Sequence, residues 1–533
     1  MVFGQFAATT QFYLYGRKHF TRTGWEAASR LYPRPDPLEA FDLAGKTYVV
    51  TGANQGIGFE IAKYLASRGG RVFMVCRSAA RAETARLAIV EQTQADCIIR
   101  TARPPDVQCL ICDVGIEADV RGAWAEFAKR AGGPAAALDG IVCNAGALFN
   151  ERTTTPAGLE TTFASHLLFG SYLMIQLALP HLRRAADPRA VLVSSGGMLN
   201  TAFPPWEVAT STGGAADYDG NLAYAYAKRG QVLLCERWTV EHPGVKFVSA
   251  HPGWTATAAV DNAYGEKKSY LEPMRSTWEG AEGIAWLAAA PGEELQSGEF
   301  YLDRSVQPKH VAGAFFSEGS FTKNTEVEVD LMCANLQSAA NGRGDEVVAA
   351  PAAAALPAQL PPQEAPIELP RFMGRWYVLA CIPSYPEKGA SNSVEDYVWE
   401  EAEQRVAITF SYTKPNGSAG EILQRGTISN EAKTKWAVCP KALGGYVPLN
   451  IGYTIAHCAP DYSTTIVGLP DRSNAWIMAR EPAVPREKYV EELRRCQALG
   501  FDMSKVVRVR QDRVYRDVDG AEPEPEPEGA AGL

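Results

Sequence analysis

The octapeptide Thr51-Gly52-Ala53-Asn54-Gln55-Gly56-Ile57-Gly58 lies between a β-branched run, TYVV, and an amphipathic stretch, FEIAKYLASRG. A strand that turns through three spaced glycines into a helix has few folds open to it. Gly52 permits the tight turn, Gly56 lets backbone approach a pyrophosphate, and Gly58 allows close packing, so that the helix N-terminus faces an anion. Asn54, Gln55 and Ile57 complete the cradle. The runs RVFMVC, VQCLICDV, DGIVCNAG, AVLVSS and KFVSAHPG follow, each succeeded by helix-like sequence, and GEFYLDR (Gly298 to Arg304) closes the series. This alternation predicts an α/β Rossmann-like, doubly wound parallel sheet over residues 43–334.

The remainder of the 533 residues reads differently. Ala349 to Pro370 is rich in Ala and Pro and nearly uncharged, and the surrounding stretch 335–368 is expected to be a linker. RWYVLAC, SVEDYVWEE, RVAITFSYT, EILQRGTIS, KTKWAVC, LNIGYTIAHC, STTIVGL and AWIMAR then form short strand candidates, followed by a helical PREKYVEELRRCQALG and a strand-like VVRVR. Residues 369–515 are therefore predicted to be an all-β, eight-stranded barrel with a C-terminal helix. Residues 516–533, with their EPEPEPE run, are expected to be a disordered acidic tail.

Residues 1–42 set Phe3, Phe6, Phe12, Tyr13, Tyr15 and Phe20 among Arg17, Lys18 and Arg22. Three readings are open: a helix packing its aromatics on the following domain, a peripheral membrane contact, or an organelle-targeting peptide. A net charge of -9 argues against nucleic acid as a partner. The eleven scattered cysteines suit an intracellular, reducing compartment, cytoplasmic or organellar. Cys109 and Cys112 fall inside one apolar run, and no metal site is expected. No window approaches the roughly 18 uncharged apolar residues of a membrane span.

Five further residues carry chemistry. Arg77 follows Cys76 at the end of the second strand, where an acid would select the ribose hydroxyl of NAD(H); a guanidinium there favours the 2'-phosphate of NADP(H). Asp113 ends the third strand and can accept from an adenine amino group. Tyr224 and Lys228 lie four residues apart on one helix face, and Ser195 ends the strand AVLVSS. Lys228 would lower the phenol pKa of Tyr224 and hold a ribose, while Ser195 polarises a substrate oxygen.

TGANQGIG, CDV, Asn144-Ala145-Gly146, SSGGM, YAYAK and His251-Pro252-Gly253-Trp254, in this order between about Leu43 and Arg304, resemble the short-chain dehydrogenases/reductases. The resemblance implies that Val114 and Asn144 to Gly146 line the cofactor, and that Pro252, Gly253, Thr255 and Thr257 hold its carboxamide. The family's active-site Asn aligns with His166, which reads either as a proton-transfer group or as a core histidine. Ser195 and Tyr224 are separated by an insertion, TAFPPWEVATSTGGAADYDGN, expected to loop near the substrate.

Phe372-Met-Gly374-Arg-Trp376-Tyr377, with Trp476-Ile-Met-Ala-Arg480 farther on, resembles the lipocalins. By that resemblance Trp376 plugs the closed end, Arg480 stacks over the indole, and the barrel holds a lipid or fatty acyl guest. Together these features predict an NADP(H)-dependent oxidoreductase interconverting a hydrophobic alcohol and carbonyl, fused to a lipid-binding barrel. The alternative is a lipid carrier whose dehydrogenase domain is a cofactor-binding scaffold or sensor. The fusion either delivers substrate or only fixes stoichiometry.

Overall fold

The computed structural model describes the chain except residues 1, 211–217, 259, 262–264, 314–315, 343–355, 443–444, 448 and 512–533. It divides into two compact units, Met1–Lys323 with Leu336–Gly344, and Asn324–Asn335 with Asp345–Leu533.

The first unit is built on β1 (Thr47–Thr51), β2 (Arg71–Cys76), β3 (Val107–Ile111), β4 (Gly140–Cys143), β5 (Arg189–Val193), β6 (Lys246–Ala250), β7 (Phe300–Leu302) and β8 (Ser305–Gln307). Their order in the sheet is β3-β2-β1-β4-β5-β6-β7-β8. The first seven are parallel and β8 returns antiparallel, an element hidden within the single closing strand read from GEFYLDR. Central strands such as TYVVT and RAVLV are buried almost throughout, as a sheet covered by helices on both faces requires. The order reverses between β1 and β4, which opens a crevice at the C-terminal strand ends where ligands bind in such sheets.

Helices Val2–His19 and Arg22–Ser29 precede the sheet. Phe20 is buried against Met198, Leu199 and Val232, with Phe12, Tyr15 and Trp254 packed around it. The packing reading therefore holds for these aromatics, while the side chains of Phe3 and Phe6 lie outside the described ones. One expectation is corrected: Phe163–Leu182 is a 20-residue helical run long and apolar enough to cross a membrane. Because 78% of its apolar window is buried, it serves as the core helix of the α/β layer.

In the second unit, β9 (Gly374–Ile382), β10 (Ser391–Glu400), β11 (Arg405–Thr413), β12 (Ala419–Ile428), β13 (Lys435–Ala442), β15 (Ile451–Cys458), β16 (Thr464–Gly468) and β17 (Ala475–Ala479) form an antiparallel meander. Pairing of β10 with β9 closes it into an eight-stranded barrel. A short β14 (Gly445–Tyr446) pairs with β13, β18 (Val507–Arg508) pairs with β9, and helix Arg486–Ala498 follows the last barrel strand. On β11 the alternating burial of RVAITFSYT shows one face turned to the core.

The linker expected over 335–368 is corrected at both ends. A helix runs Glu326–Ala340, across the expected boundary. Farther on, Leu360 and Ile367 are buried, and the N–H groups of Leu360, Gln363 and Ile367 donate to the carbonyls of Pro470, Ile455 and Ala432. The apolar side chains inside the Ala/Pro-rich text anchor it to the barrel wall, which ordinary linker composition would not do. Residues 343–355 and the expected tail lie outside the described residues.

Candidate active site

The glycine loop turns as its residue types require. Gly52 and Gly56 have φ of +66° and +59°, in the left-handed region that favours glycine. A Cβ on Gly58 would overlap the Gly52 carbonyl oxygen and the Asn144 amide. Gln55 precedes helix Gly56–Ser67 without a side-chain cap, so the first helical N–H groups are left to face a ligand. Thr51 Oγ1 accepts from the N–H groups of Asn144 (2.9 Å) and Ala145 (2.8 Å), and Asn144 Nδ2 donates to the Thr51 carbonyl at 3.0 Å. These bonds bring Asn144-Ala145-Gly146 beside the loop. Gly56 also faces Thr257, so the segment after β6 reaches the same crevice. This cradle, open to close backbone approach and lacking a side-chain plug at the helix terminus, fits a dinucleotide.

At the end of β2, the Arg77 side chain is 69% exposed and its guanidinium lies 3.6 Å from Asp113 Oδ2. Asp113 Oδ1 accepts from the Gly115 N–H at 2.9 Å, so that carboxylate already organises its own turn. Val114 packs toward Gly170 on the neighbouring helix. Sequence reading passed over Ser78, whose hydroxyl accepts from the Arg81 N–H and caps helix Ala79–Thr101 immediately after Arg77. Its signal was available, since Ser before a helical run is a preferred N-cap.

Tyr224 and Lys228 lie on helix Gly220–Glu241, which meets the end of β5, two residues before Ser195, through Lys228. Asp219 caps that helix by accepting from the N–H groups of Asn221 and Leu222. Ser194 Oγ donates to the Lys228 carbonyl at 2.8 Å, and Lys228 Nζ donates to the Val193 carbonyl at 2.7 Å. Lys228 is buried, which pushes its ammonium down to about 7, and its Nζ lies 5.3 Å from the centre of the half-buried Tyr224 ring. Ser195 Oγ accepts from the Gly197 N–H at 3.2 Å at the start of a short 3-10 turn.

His166 also belongs to this cluster, on a π-helix spanning Phe163–Leu173. Such wide turns concentrate at functional positions. The ring is fully buried and stands edge-on to Tyr224, with centroids 5.3 Å apart. Its Nε2 accepts from the Ala147 N–H at 2.9 Å, which places the remaining ring proton on Nδ1. Burial and nearby Lys228 hold its pKa well below the usual range, so the ring is neutral. Its carbonyl accepts from Ser171 Oγ (2.5 Å) and Gln231 Nε2 (3.1 Å). The core-histidine reading describes these contacts, while the edge against Tyr224 keeps it at the site.

The insertion after Ser195 returns to the same helix: Trp206 packs edge-on to Phe163, and the Tyr218 hydroxyl donates to Glu160. Glu160 itself accepts from the N–H groups of Thr162 and Phe163 at the helix start. Residues 211–217 of the insertion lie outside the described ones. Beyond β6, Gly253 has φ +72° and its Cα faces the Arg275 guanidinium, while Thr255 Oγ1 donates to the Pro252 carbonyl at 2.9 Å. Arg275 pairs with Asp303 and donates to the carbonyls of His19, Phe20 and Thr21. It thereby pins the N-terminal helices beside the Pro252-Gly253 turn and Ser195-Gly196, a link no local sequence pattern announces.

Comparison with known proteins agrees with this geometry. Residues 46–204 match the short chain dehydrogenase family, and residues 367–511 match the lipocalin-like domain family. Dehydrogenase/reductase SDR family member 12 from Bos taurus is 35% identical over 320 residues, covering 59% of this chain and 93% of that protein. The Homo sapiens protein of the same name is 34% identical over 318 residues, with the same coverage. Retinol dehydrogenase 12 from Bos taurus is 29% identical over 269 residues, covering 49% of this chain and 78% of that protein.

Proposed function

Because the chain belongs to the short-chain dehydrogenase/reductase family and continues into a lipocalin-like domain, we propose that it is an NADP(H)-dependent oxidoreductase acting on a hydrophobic alcohol or carbonyl, joined to a carrier of a small apolar ligand. The observation that carries the catalytic half is the buried Lys228, fixed to the end of β5 and set against the Tyr224 ring within the crevice that holds the glycine loop.

A bound nicotinamide dinucleotide supplies or takes up the hydride. The backbone of Gly52 to Gly58 would hold its pyrophosphate, Asn144 to Gly146 would flank it, and Pro252 to Thr257 would face the carboxamide. Ser195 donates a hydrogen bond to the substrate oxygen, and Tyr224 passes a proton to it in reduction or takes one in oxidation. In its protonated form Lys228, sheltered from water, favours the phenolate that this exchange requires. His166 keeps the Gly146-Ala147 turn and the Tyr224 ring in place. An apolar substrate suits the Phe163 and Trp206 contacts beside the site, and retinol dehydrogenase 12 is named for an apolar alcohol. Occupation of His166 Nε2 and the His166 carbonyl by protein partners favours a cofactor-binding scaffold with little turnover, whereas its buried Nδ1–H, left without a protein acceptor among the described residues, favours a part at the site. Oxidation of NADPH in the presence of retinoid, quinone or lipid aldehydes decides between them.

Cofactor choice rests on Arg77, whose exposed guanidinium is free to exchange its long contact with Asp113 for a phosphate. One charge-assisted contact contributes about 1.5–3 kcal/mol, so NADPH is expected to bind at least about tenfold more tightly than NADH. Arg77→Ala should remove most of that preference in calorimetric titrations. Equal affinities in the wild type, or an unchanged ratio in the variant, would assign the choice elsewhere.

A further inference from the structure

The barrel's strand register determines which side chains face its interior. The β9–β10 pair sets Glu395 opposite Trp376, and both are buried, with Glu395 4% exposed. Phe372 closes the end below them, its ring packed on Trp376, Tyr397 and Trp436. The other end admits solvent: Ile422, Pro440 and Trp476, inward by register, are half-buried, and Ile451 is 39% exposed. The inward side chains are thus fully buried at the Phe372 end and partly exposed at the other.

The barrel lining is acidic and aromatic. Glu395 Oε2 accepts from the Tyr453 hydroxyl at 3.3 Å, and that hydroxyl is bonded to the hydroxyl of Tyr397. Trp436, Tyr453 and Trp476 stack in succession up the wall, with centroids 5.5 and 6.4 Å apart. Glu387, also buried, accepts from the Trp476 indole N–H at 2.7 Å and the Ser384 N–H at 2.7 Å. Among the described residues, no Lys, Arg or His occupies an inward position in the strand register. Arg480 lies over Trp376 but spends its donors on the carbonyls of Arg371, Phe372 and Arg375.

A buried carboxylate without a cation is costly, and aromatic faces attract positive charge. Resting on the reading of the barrel as a carrier, we propose that its guest is an amphiphile with a cationic head, an amine or quaternary ammonium, seated at Glu395 among Tyr397, Trp436 and Tyr453. An anionic fatty acid, by contrast, would bring its carboxylate against two acids.

Burial and the neighbouring Glu387 push Glu395 up to about 8, so its carboxyl carries a proton at neutral pH that a cationic guest must displace. The other titratable groups facing it are Tyr397 on its own strand, Tyr453 on β15 and Cys381 on β9; burial pushes Tyr453 and Cys381 upward, so both stay neutral. Affinity for a cation should therefore rise with pH up to about 8 and then level.

The test uses three ligands of one chain length with the full protein: dodecyltrimethylammonium, dodecanol and dodecanoate, followed by tryptophan fluorescence and calorimetry. The expected result is binding of the cation at least tenfold tighter than either other ligand at pH 8, with release of close to one proton at pH 7. Glu395→Gln should abolish both the preference and the pH dependence. Should that variant not fold, proton release by the wild type, measured in two buffers of different ionisation enthalpy, decides alone. Dodecanol or dodecanoate binding as tightly as the cation, or cation binding without proton release at pH 7, would overturn the proposal while leaving the carrier reading intact. Failure of all three to bind would overturn both.

Discussion

Tyr224→Phe is expected to lower kcat by about 10²–10⁴-fold, the usual contribution of a positioned proton donor, while leaving cofactor affinity close to that of the wild type. The substitution removes one oxygen and keeps the ring. The edge contact with His166 and the approach of Lys228 Nζ both involve that ring, so the helix and the crevice should keep their shape. Lys228→Ala should act differently. It removes the bond to the Val193 carbonyl and opens a hole in a buried site, so turnover and cofactor binding should fall together. Stopped-flow measurement of NADPH oxidation, paired with fluorescence titration of the cofactor, separates the two. Near wild-type turnover by Tyr224→Phe on a verified substrate would remove the phenol from the mechanism.

The legible parts of the chain are those where geometry restricts the residue type. Gly52, Gly56 and Gly58 could be read because a positive φ or a close approach excludes a side chain there, and the flanking strand and helix patterns fixed their setting. Ser195, Tyr224 and Lys228 became legible through spacing on a strand end and one helix face. His166 was recognised only as a departure, since nothing local shows that Ala147 donates to its ring. Glu395 was missed for a different reason. In SVEDYVWEE either alternate set of residues could face inward, and a slip of one position exchanges the faces, so the acid inside the barrel emerges only from its pairing with Trp376. Arg275 is likewise invisible, because its partners His19 to Thr21 lie some 255 residues away in sequence. Leu360 and Ile367 were signals passed over: apolar residues in Ala/Pro-rich text still gain by burial.

Trp376→Ala should destabilise the barrel by about 3–5 kcal/mol, the range for truncating a fully buried tryptophan. Three contributions fall together. The indole, 0% exposed, fills the floor against Phe372, and its N–H donates to the Phe372 carbonyl at 2.8 Å. The Arg480 guanidinium carbon lies 3.8 Å from the ring centre, so its cation loses the aromatic face while its hydrogen bonds to the Arg375 and Phe372 carbonyls remain. Arg480→Lys keeps a charge but not the planar fork, and should cost less, about 1–2 kcal/mol, the scale of a partly desolvated cation–aromatic contact. Because the chain has two compact units, scanning calorimetry should be read as two transitions rather than one. The barrel transition should fall by about 6–20 °C in Trp376→Ala, at roughly 2–4 °C per kcal/mol. The dehydrogenase transition, and NADPH binding with it, should stay where they are. A barrel that melts unchanged would show that its floor is held by the Phe372 ring and the strand ladder without the indole, and movement of both transitions together would show that the two units unfold as one.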